Sequence, residues 1–166
     1  MLRKPCIDVI CPMIPRGKGR PRFSRKSGRA YTPTETRKWE AQCAAILAQH
    51  TPEEPLDGPL ILDFLCVMPR PGYMFKKDRT GNYKWPETLI YQTKTPDVDN
   101  LCKALLDVGT TVKWWRDDCQ VVCGMMMKAT AEMDGKPRIE IMVSRVYGTP
   151  EDLWHMTRRH RGSKLI

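Results

Sequence analysis

The sequence has no hydrophobic run long enough to cross a membrane, and it has few histidines. A membrane helix needs roughly 18 consecutive apolar residues, whereas Pro12 and Pro15 interrupt the short apolar stretch near the N-terminus. That stretch therefore does not resemble a signal peptide. The histidines His50, His155 and His160 are scattered along the chain, and we assign none of them a catalytic role. These absences favour a cytoplasmic protein with no membrane partner.

A disulfide framework is also absent. The seven cysteines are odd in number and irregular in spacing, and nothing indicates secretion, so we expect reduced thiols. Cys119 and Cys123 are four residues apart, but no second cysteine or histidine pair lies at the spacing of a zinc site. We therefore expect neither structural zinc nor an organic cofactor.

Acidic residues are scarce relative to basic ones. The 166 residues include 28 Lys and Arg against 19 Asp and Glu, which gives a formal net charge of +9. This length is typical of one domain. A basic excess can serve solubility alone, but it more often indicates an anionic partner such as nucleic acid. Residues 16–31 contain no acid, and their glycines predict a flexible basic loop that contacts phosphates through Arg16, Lys18, Arg20, Arg22, Arg25, Lys26 and Arg29.

The apolar periodicity predicts an α+β domain over residues 1–148 with a mixed sheet and two main helices on one face. We expect strands at 6–14, 60–68, 119–129 and 138–146, with Asp134-Gly135 as a hairpin turn between the last two. Thr32, Pro33 and Glu35 predict a capped helix start and a helix to about residue 50. A second helix is expected from about Asn100 to 106 or 108, closed by Gly109. Residues 149–166 are expected to form a basic, weakly ordered tail.

A long connection over residues 69–95 is rich in aromatic and basic residues. Loops of this length in a compact domain are functional or partly disordered. The aromatic residues Tyr73, Phe75, Tyr83, Trp85 and Tyr91 allow two interpretations. They could stack on unpaired nucleic-acid bases, or they could pack as ordinary loop residues.

The acids of this basic chain cluster in two places. The segment TPDVDNLCKALLD holds Asp97 and Asp99, and WWRDDCQVV holds Asp117 and Asp118. If residues 97–99 are extended, alternation places both carboxylates on one face. Lys103 would then lie one helical turn further along, on the same side. Carboxylates suit Mg²⁺, which can activate water for phosphodiester hydrolysis, and a nearby lysine can stabilise the transition-state charge.

Each acidic motif also has a simpler structural interpretation. Asp99 could cap the following helix, and acids near a helix start complement its dipole. The Asp117-Asp118 pair could form a plain turn. Asp107 is expected to be structural or solvated, either on the helix face away from Lys103 or near the C-terminal turn.

The chain resembles the RusA family of Holliday junction resolvases. The resemblance rests on PDVDNLCKALLD, on WWRDDCQVV, and on the upstream PRGKGRPRF and AYTPTETRKWE segments. It implies that Asp97 and Asp99 are paired metal ligands, that Asp118 is the third carboxylate with Asp117 beside it, and that Lys103 is the catalytic lysine. Asn100 would support the site. The resemblance also implies a homodimer, and two symmetric cuts in a four-way junction require two such sites.

The resulting hypothesis is a bacterial or prophage endodeoxyribonuclease that uses Mg²⁺, or Mn²⁺ in its place, to resolve branched DNA in recombination and repair. It would act in the cytoplasm of a bacterial or phage-infected cell. One alternative is a non-catalytic protein that binds branched or single-stranded DNA. Another is a two-metal nuclease that acts on forks or flaps.

Overall fold

The computed structural model describes residues 5–25 and 28–161. Its strands are β1 (Ile7–Cys11), β2 (Arg22–Ser24), β3 (Arg29–Tyr31), β4 (Leu60–Met68), β5 (Ile90–Tyr91), β6 (Val121–Cys123), β7 (Met126–Thr130) and β8 (Arg138–Arg145). Its α-helices are α1 (Thr34–Leu47), α2 (Val98–Thr111) and α3 (Pro150–Arg161). Short 3-10 turns cover Ala48–His50, Gly72–Phe75 and Asp118–Gln120. The α+β class with a mixed sheet is confirmed.

Strand β4 lies at the centre of the main sheet, as its sequence LILDFLCVM predicts. The strand order is β1-β8-β4-β7-β5, with β6 also paired to β4. Strand β4 runs antiparallel to β8 and parallel to β6 and β7. Its one polar residue, Asp63, accepts a hydrogen bond from the Met125 amide at 2.6 Å, at the break between β6 and β7.

The predicted hairpin at Asp134-Gly135 is wrong. Strands β7 and β8 do not pair with each other, because β4 lies between them. The turn after β7 instead carries the chain across the end of β4. A local turn signal contains no information about a strand that comes from elsewhere in the chain.

Helices α1 and α2 cover one face of the sheet. Their buried residues, which include Trp39, Cys43, Leu101 and Leu105, share a core with alternate residues of β1, β4 and β8. The predicted capping box of α1 is wrong, because Pro33 is the N-cap residue and no side chain caps the helix. Glu35 forms an ion pair with Arg16 instead, at 3.7 Å.

Helix α2 extends beyond the predicted stop at Gly109. It starts at Val98 and ends at Thr111, and Gly109 is buried within it. The glycine is needed for packing, because a Cβ at this position would overlap the indole ring of Trp115. Trp114 and Trp115, only 1% exposed, anchor the connection that leads to Asp117 and Asp118.

The two basic segments are more regular than their composition predicts. Within residues 16–31, β2 and β3 pair as a short antiparallel hairpin. The expected tail begins with α3, where the Thr149 hydroxyl accepts from the Asp152 amide at 3.2 Å and the Asp152 carboxylate accepts from the Thr149 amide at 2.9 Å. Among the described residues, no helix has the length and apolar character needed to cross a bilayer.

Candidate active site

The first turn of α2 presents the Asp97 and Asp99 carboxylates to solvent. Asp97 is the N-cap residue in an extended conformation, with φ −71° and ψ 149°, and its side chain makes no capping hydrogen bond. Asp99 lies in the first helical turn, so the expected alternation over an extended 97–99 segment does not apply. The capping interpretation of Asp99 is also wrong, because the cap position belongs to Asp97. Both carboxylates are exposed at a helix N-terminus, where phosphate groups bind favourably.

Lys103 lies one turn further along α2 on the same side as Asp99, as predicted. Its Nζ atom is 3.3 Å from Oδ2 of Asp99, and both side chains are 62% exposed. An exposed ion pair of this kind contributes little to stability. The lysine is therefore held near the carboxylate but is free to move toward a bound phosphate.

Two groups fix the chain where it enters α2. The Lys128 ammonium on β7 donates to the carbonyl oxygens of Lys94 and Pro96, both at 2.7 Å. On the other side, the Lys18 amide donates to the Asn100 carbonyl at 3.0 Å. Gly17 lies so close that an added Cβ would come within 3.1 Å of the Pro96 side chain. Asn100 thus joins the basic segment to the first turn of α2.

An acidic cleft of about 440 Å³ opens near the last turns of α2. Its lining residues are Lys18, Glu40, Asp107, Val108, Thr110, Thr111, Asp117 and Asp118. The Lys18 ammonium forms an ion pair with Asp107, and one buried carboxylate oxygen of Glu40 has no hydrogen-bond partner within the described chain. The cleft therefore concentrates negative charge around one lysine.

The expectation that Asp107 faces away from Lys103 is wrong. Asp99, Lys103 and Asp107 are spaced by four residues each, which places them along one face of α2. Asp107 reaches the cleft and binds Lys18 there. The four-residue spacing of Asp99, Lys103 and Asp107 in the sequence already indicates that Asp107 shares this face. Lys18, expected on a phosphate-binding surface, has its ammonium at this carboxylate.

Asp117 acts as the cap of the 3-10 turn at Asp118–Gln120. Its carboxylate accepts from the Cys119 amide at 2.9 Å, and this bond lowers the pKa of Asp117. The Gln120 side chain accepts from the Asp117 amide and donates to the Leu56 and Gly58 carbonyls. The turn interpretation therefore holds for Asp117, and it fixes the backbone from which exposed Asp118 projects.

The structure separates the predicted metal ligands into two groups. Asp117 and Asp118 line the cleft with Asp107, whereas Asp97 and Asp99 lie at the first turn of α2. Eight residues of helix between Asp99 and Asp107 correspond to about 12 Å. Among residues 5–25 and 28–161, no three His, Cys, Asp or Glu side chains form a group that could hold a metal ion. Their roles as metal ligands stay predictions.

The donor chemistry of the first turn fits a hard divalent cation. Mg²⁺ prefers oxygen ligands and retains several waters, so one or two carboxylates with substrate phosphate oxygens suffice. The Asp97 and Asp99 side chains supply such oxygens, and the Asp97 carboxylate makes no capping hydrogen bond. Asp118 is exposed as well, but it lines the cleft and not the first turn of α2.

The predicted phosphate-binding residues lie mostly on the β2–β3 hairpin and the segment before it. Arg16, Arg20, Arg22, Arg25 and Arg29 are exposed, while Lys26 lies outside the described residues. Arg16 also contacts Glu35. Gly17 and Lys18 attach the start of this segment to the first turn of α2.

Comparisons with known proteins assign the chain to a family. Residues 12–144 match the model of the family described as endodeoxyribonuclease RusA. The chain is also 30% identical over 143 residues to a Bacillus subtilis (strain 168) protein named uncharacterized protein YqaN, a match that covers 85% of this chain and 97% of that protein. The matched region contains the basic segment, both acidic motifs and the main sheet except strand β1 and the last residue of β8.

Proposed function

This chain belongs to the RusA family of endodeoxyribonucleases, and from that premise we propose a Mg²⁺-dependent resolvase that cuts four-way DNA junctions by paired symmetric nicks. Family membership makes the chain a nuclease that binds branched DNA and depends on a divalent metal ion. The proposal adds the choice of Mg²⁺, the ligand residues, the paired nicks and a homodimer. It also places the reaction in the cytoplasm of a bacterial or phage-infected cell.

One observation carries the residue assignment. Two exposed carboxylates, Asp97 and Asp99, stand at the N-terminus of α2 without making a capping hydrogen bond, and Lys103 lies within 3.3 Å of one of them. Carboxylates facing DNA weaken binding unless a cation neutralises them. Their position beside an arginine-rich segment is therefore accounted for by a bound metal ion, which when present activates water and stabilises charge at the scissile phosphate.

The other residues act on DNA directly. The exposed arginines of residues 16–31 bind backbone phosphates without regard to sequence, with an affinity that falls as salt rises. The N-terminal amides of α2 favour a phosphate at its first turn. Lys103 places a positive charge where negative charge develops during attack. Asp117 and Gln120 orient the turn from which Asp118 reaches the cleft.

Carboxylate substitutions test the metal assignment. We expect Asp97→Asn, Asp99→Asn and Asp118→Asn to lower cleavage of a synthetic four-way junction in Mg²⁺ by at least about 10³-fold while junction binding survives. Asp134→Asn, an exposed acid on the turn after β7, is the matched control and should cut normally. Cleavage at the normal rate by any of the three site variants would remove that residue from the metal site.

Lys103 requires a separate comparison of rate and affinity. Lys103→Ala should slow cleavage about 10²-fold or more with little loss of junction binding, and Lys136→Ala should change neither. An affinity defect as large as the rate defect would make Lys103 a DNA-docking residue.

Substrate and metal panels distinguish the alternatives. Labelled mobile and static junctions, a fork, a flap and plain duplex are incubated with Mg²⁺, Mn²⁺ or Ca²⁺, and the cuts are mapped. Paired symmetric cuts confined to junctions support the resolvase, whereas cuts confined to forks or flaps refute that substrate choice. Junction affinity that is independent of all three ions, with no cleavage, supports a non-catalytic binder.

The homodimer has its own test. Each chain carries one Asp97–Asp99 pair, and a junction is resolved by two opposed cuts, so the dimer would match the two-fold symmetry of the junction. We expect sedimentation to give twice the 19.2 kDa chain mass. Mixed dimers of normal and Asp97→Asn chains should nick one strand only. A monomer that resolves junctions would refute this part of the proposal.

A further inference from the structure

The connection between β4 and β5 is held in place by its own hydrogen bonds and by contacts with the rest of the domain. Met74 is buried at its start, and the Arg70 guanidinium donates to the Ala131 carbonyl at 3.0 Å. The Asp78 carboxylate accepts from the Thr80 hydroxyl at 2.7 Å, and this bond with nearby amides lowers the pKa of Asp78. These contacts hold the loop backbone in one conformation.

The aromatic rings of this connection point outward although its backbone is held. Tyr73, Phe75, Tyr83 and Trp85 are 41%, 44%, 37% and 39% exposed. Rings that served only to pack the loop would be buried as Met74 is. Tyr73 and Trp85 also contact each other edge to face, with centroids 5.9 Å apart. The loop therefore presents several fixed, half-exposed aromatic faces and edges to solvent.

Cations lie over three of these rings. Lys77 is 4.7 Å from the Tyr83 centroid, Lys94 is 5.5 Å from that of Tyr73, and Arg70 is 5.7 Å from that of Phe75. Significant cation–π pairs occur about once per 70–80 residues, so three between Arg70 and Lys94 is a high density. The surface combines aromatic rings with fixed positive charge.

This aromatic–cation surface, Arg70–Lys94, is continuous with the candidate active site. Six of its residues are basic and two are acidic. Lys94, whose ammonium lies over Tyr73, precedes Asp97 by three residues, and Lys128 holds the intervening carbonyls. A strand whose phosphate lies at Asp97 can therefore place neighbouring nucleotides against the rings.

We propose that the aromatic–cation surface binds unpaired DNA bases beside the Asp97–Asp99 pair, so that single-stranded DNA at a branch is the feature it recognises. The statement that the bound DNA is branched rests on the proposed function. The binding of unpaired bases does not depend on it. A base can stack on the part of each ring that its neighbouring cation leaves exposed, and the lysines neutralise the adjacent phosphates. Paired bases in a duplex cannot reach the rings without unstacking.

Affinity measurements on the full chain test the surface. The Asp97→Asn chain, used to prevent cleavage, is titrated with labelled dT20 and with a 20-bp duplex. We expect Trp85→Ala and Tyr73→Ala each to weaken dT20 binding about 5- to 150-fold, with duplex binding changed less than about twofold. Trp85→Phe should retain most of the affinity. The control Tyr147→Ala removes a 76% exposed ring at the opposite end of β4 and should have no effect.

Intrinsic fluorescence gives an independent readout. Trp39, Trp114 and Trp115 are at most 7% exposed, so Trp154→Phe leaves Trp85 as the accessible indole. Saturable quenching by dT20 is expected in this background and should disappear in Trp85→Phe. Absence of quenching, or equal weakening of dT20 and duplex binding by Trp85→Ala, would overturn the proposal.

The two proposals fail separately. A chain that resolves junctions but binds dT20 normally after Trp85→Ala contradicts the base-binding surface alone. A chain that binds dT20 through Trp85 but cuts no branched DNA contradicts the proposed nuclease substrate alone.

Discussion

Gly109 offers a test in which two physical effects predict opposite signs. In the interior of an isolated helix, Gly→Ala stabilises by about 0.8–1.0 kcal/mol. At this position, however, three indole atoms of Trp115 lie no more than 3.0 Å from where the new Cβ would be. Trp115 is 1% exposed and its Nε1 donates to the Thr110 hydroxyl at 2.8 Å, so the ring has little freedom to move.

Overfilling a well-packed core costs typically 1–3 kcal/mol, and the depth of this overlap places Gly109→Ala toward the upper figure. Subtracting the helix propensity leaves a net destabilisation of about 2 kcal/mol. For a chain of this size that corresponds to a loss of roughly 4–8 °C in Tm. Urea unfolding followed by far-UV circular dichroism measures the free-energy change.

A double variant separates the overlap from other causes. Phe has no atoms in place of the outer indole ring, so Trp115→Phe removes the clash while leaving an aromatic side chain. We expect Gly109→Ala to be nearly neutral or stabilising in the Trp115→Phe background. Stabilisation of the otherwise normal chain by Gly109→Ala would refute the packing argument. Because Trp115 precedes Asp117 by two residues, the variant that loses stability should also cleave junctions more slowly.

Three further predictions concern the entrance to α2, the ion pair at the start of β8 and the buried thiols. Lys128→Met should lower the cleavage rate about 10- to 100-fold with little change in DNA affinity, because groups that orient metal ligands from behind have effects of this size. An unchanged rate with an unchanged Mg²⁺ dependence would contradict this prediction. Arg138 lowers the pKa of Glu132 below its ordinary 4.5, so the stabilisation by this ion pair is present above that pH and is lost as the pH falls through the lowered value. The stability advantage of the normal chain over Glu132→Gln should therefore shrink in urea titrations below about pH 4.5. Burial raises the pKa of Cys66 to about 12, so native protein treated with iodoacetamide should be labelled at exposed Cys6 and not at Cys66, as read by peptide mass spectrometry.

The sequence predicted those elements whose own apolar pattern indicates their secondary structure and burial. Strand β4 was located residue for residue because it is apolar on both faces, which is typical of a central strand. The class and both main helices followed from similar patterns. The hairpin after β7 and the end of α2 were predicted wrongly, since each depends on a distant partner: β4 in one case and Trp115 in the other.

The candidate site also has parts that the sequence predicts and parts that it does not. The relation between Asp99 and Lys103 follows from helical spacing and could be derived without a structure. That Lys18 binds Asp107 could not, because it depends on the path of the basic segment past the first turn of α2. The ordered conformation of the 69–95 connection could not be predicted either. It depends on hydrogen bonds of Asp78 and Arg70 and not on regular secondary structure.

The central position of β4 has a consequence for the timing of synthesis. Leu60 pairs with Arg145, and β1 pairs only with β8, so the main sheet cannot close until β8 has been made. At about 5–20 residues per second, the ribosome completes β8 about 7–27 s after β1. Lys128, which holds the entrance to α2, also belongs to this late portion. A growing chain therefore carries Asp97 and Asp99 before the sheet that packs against α2 can close.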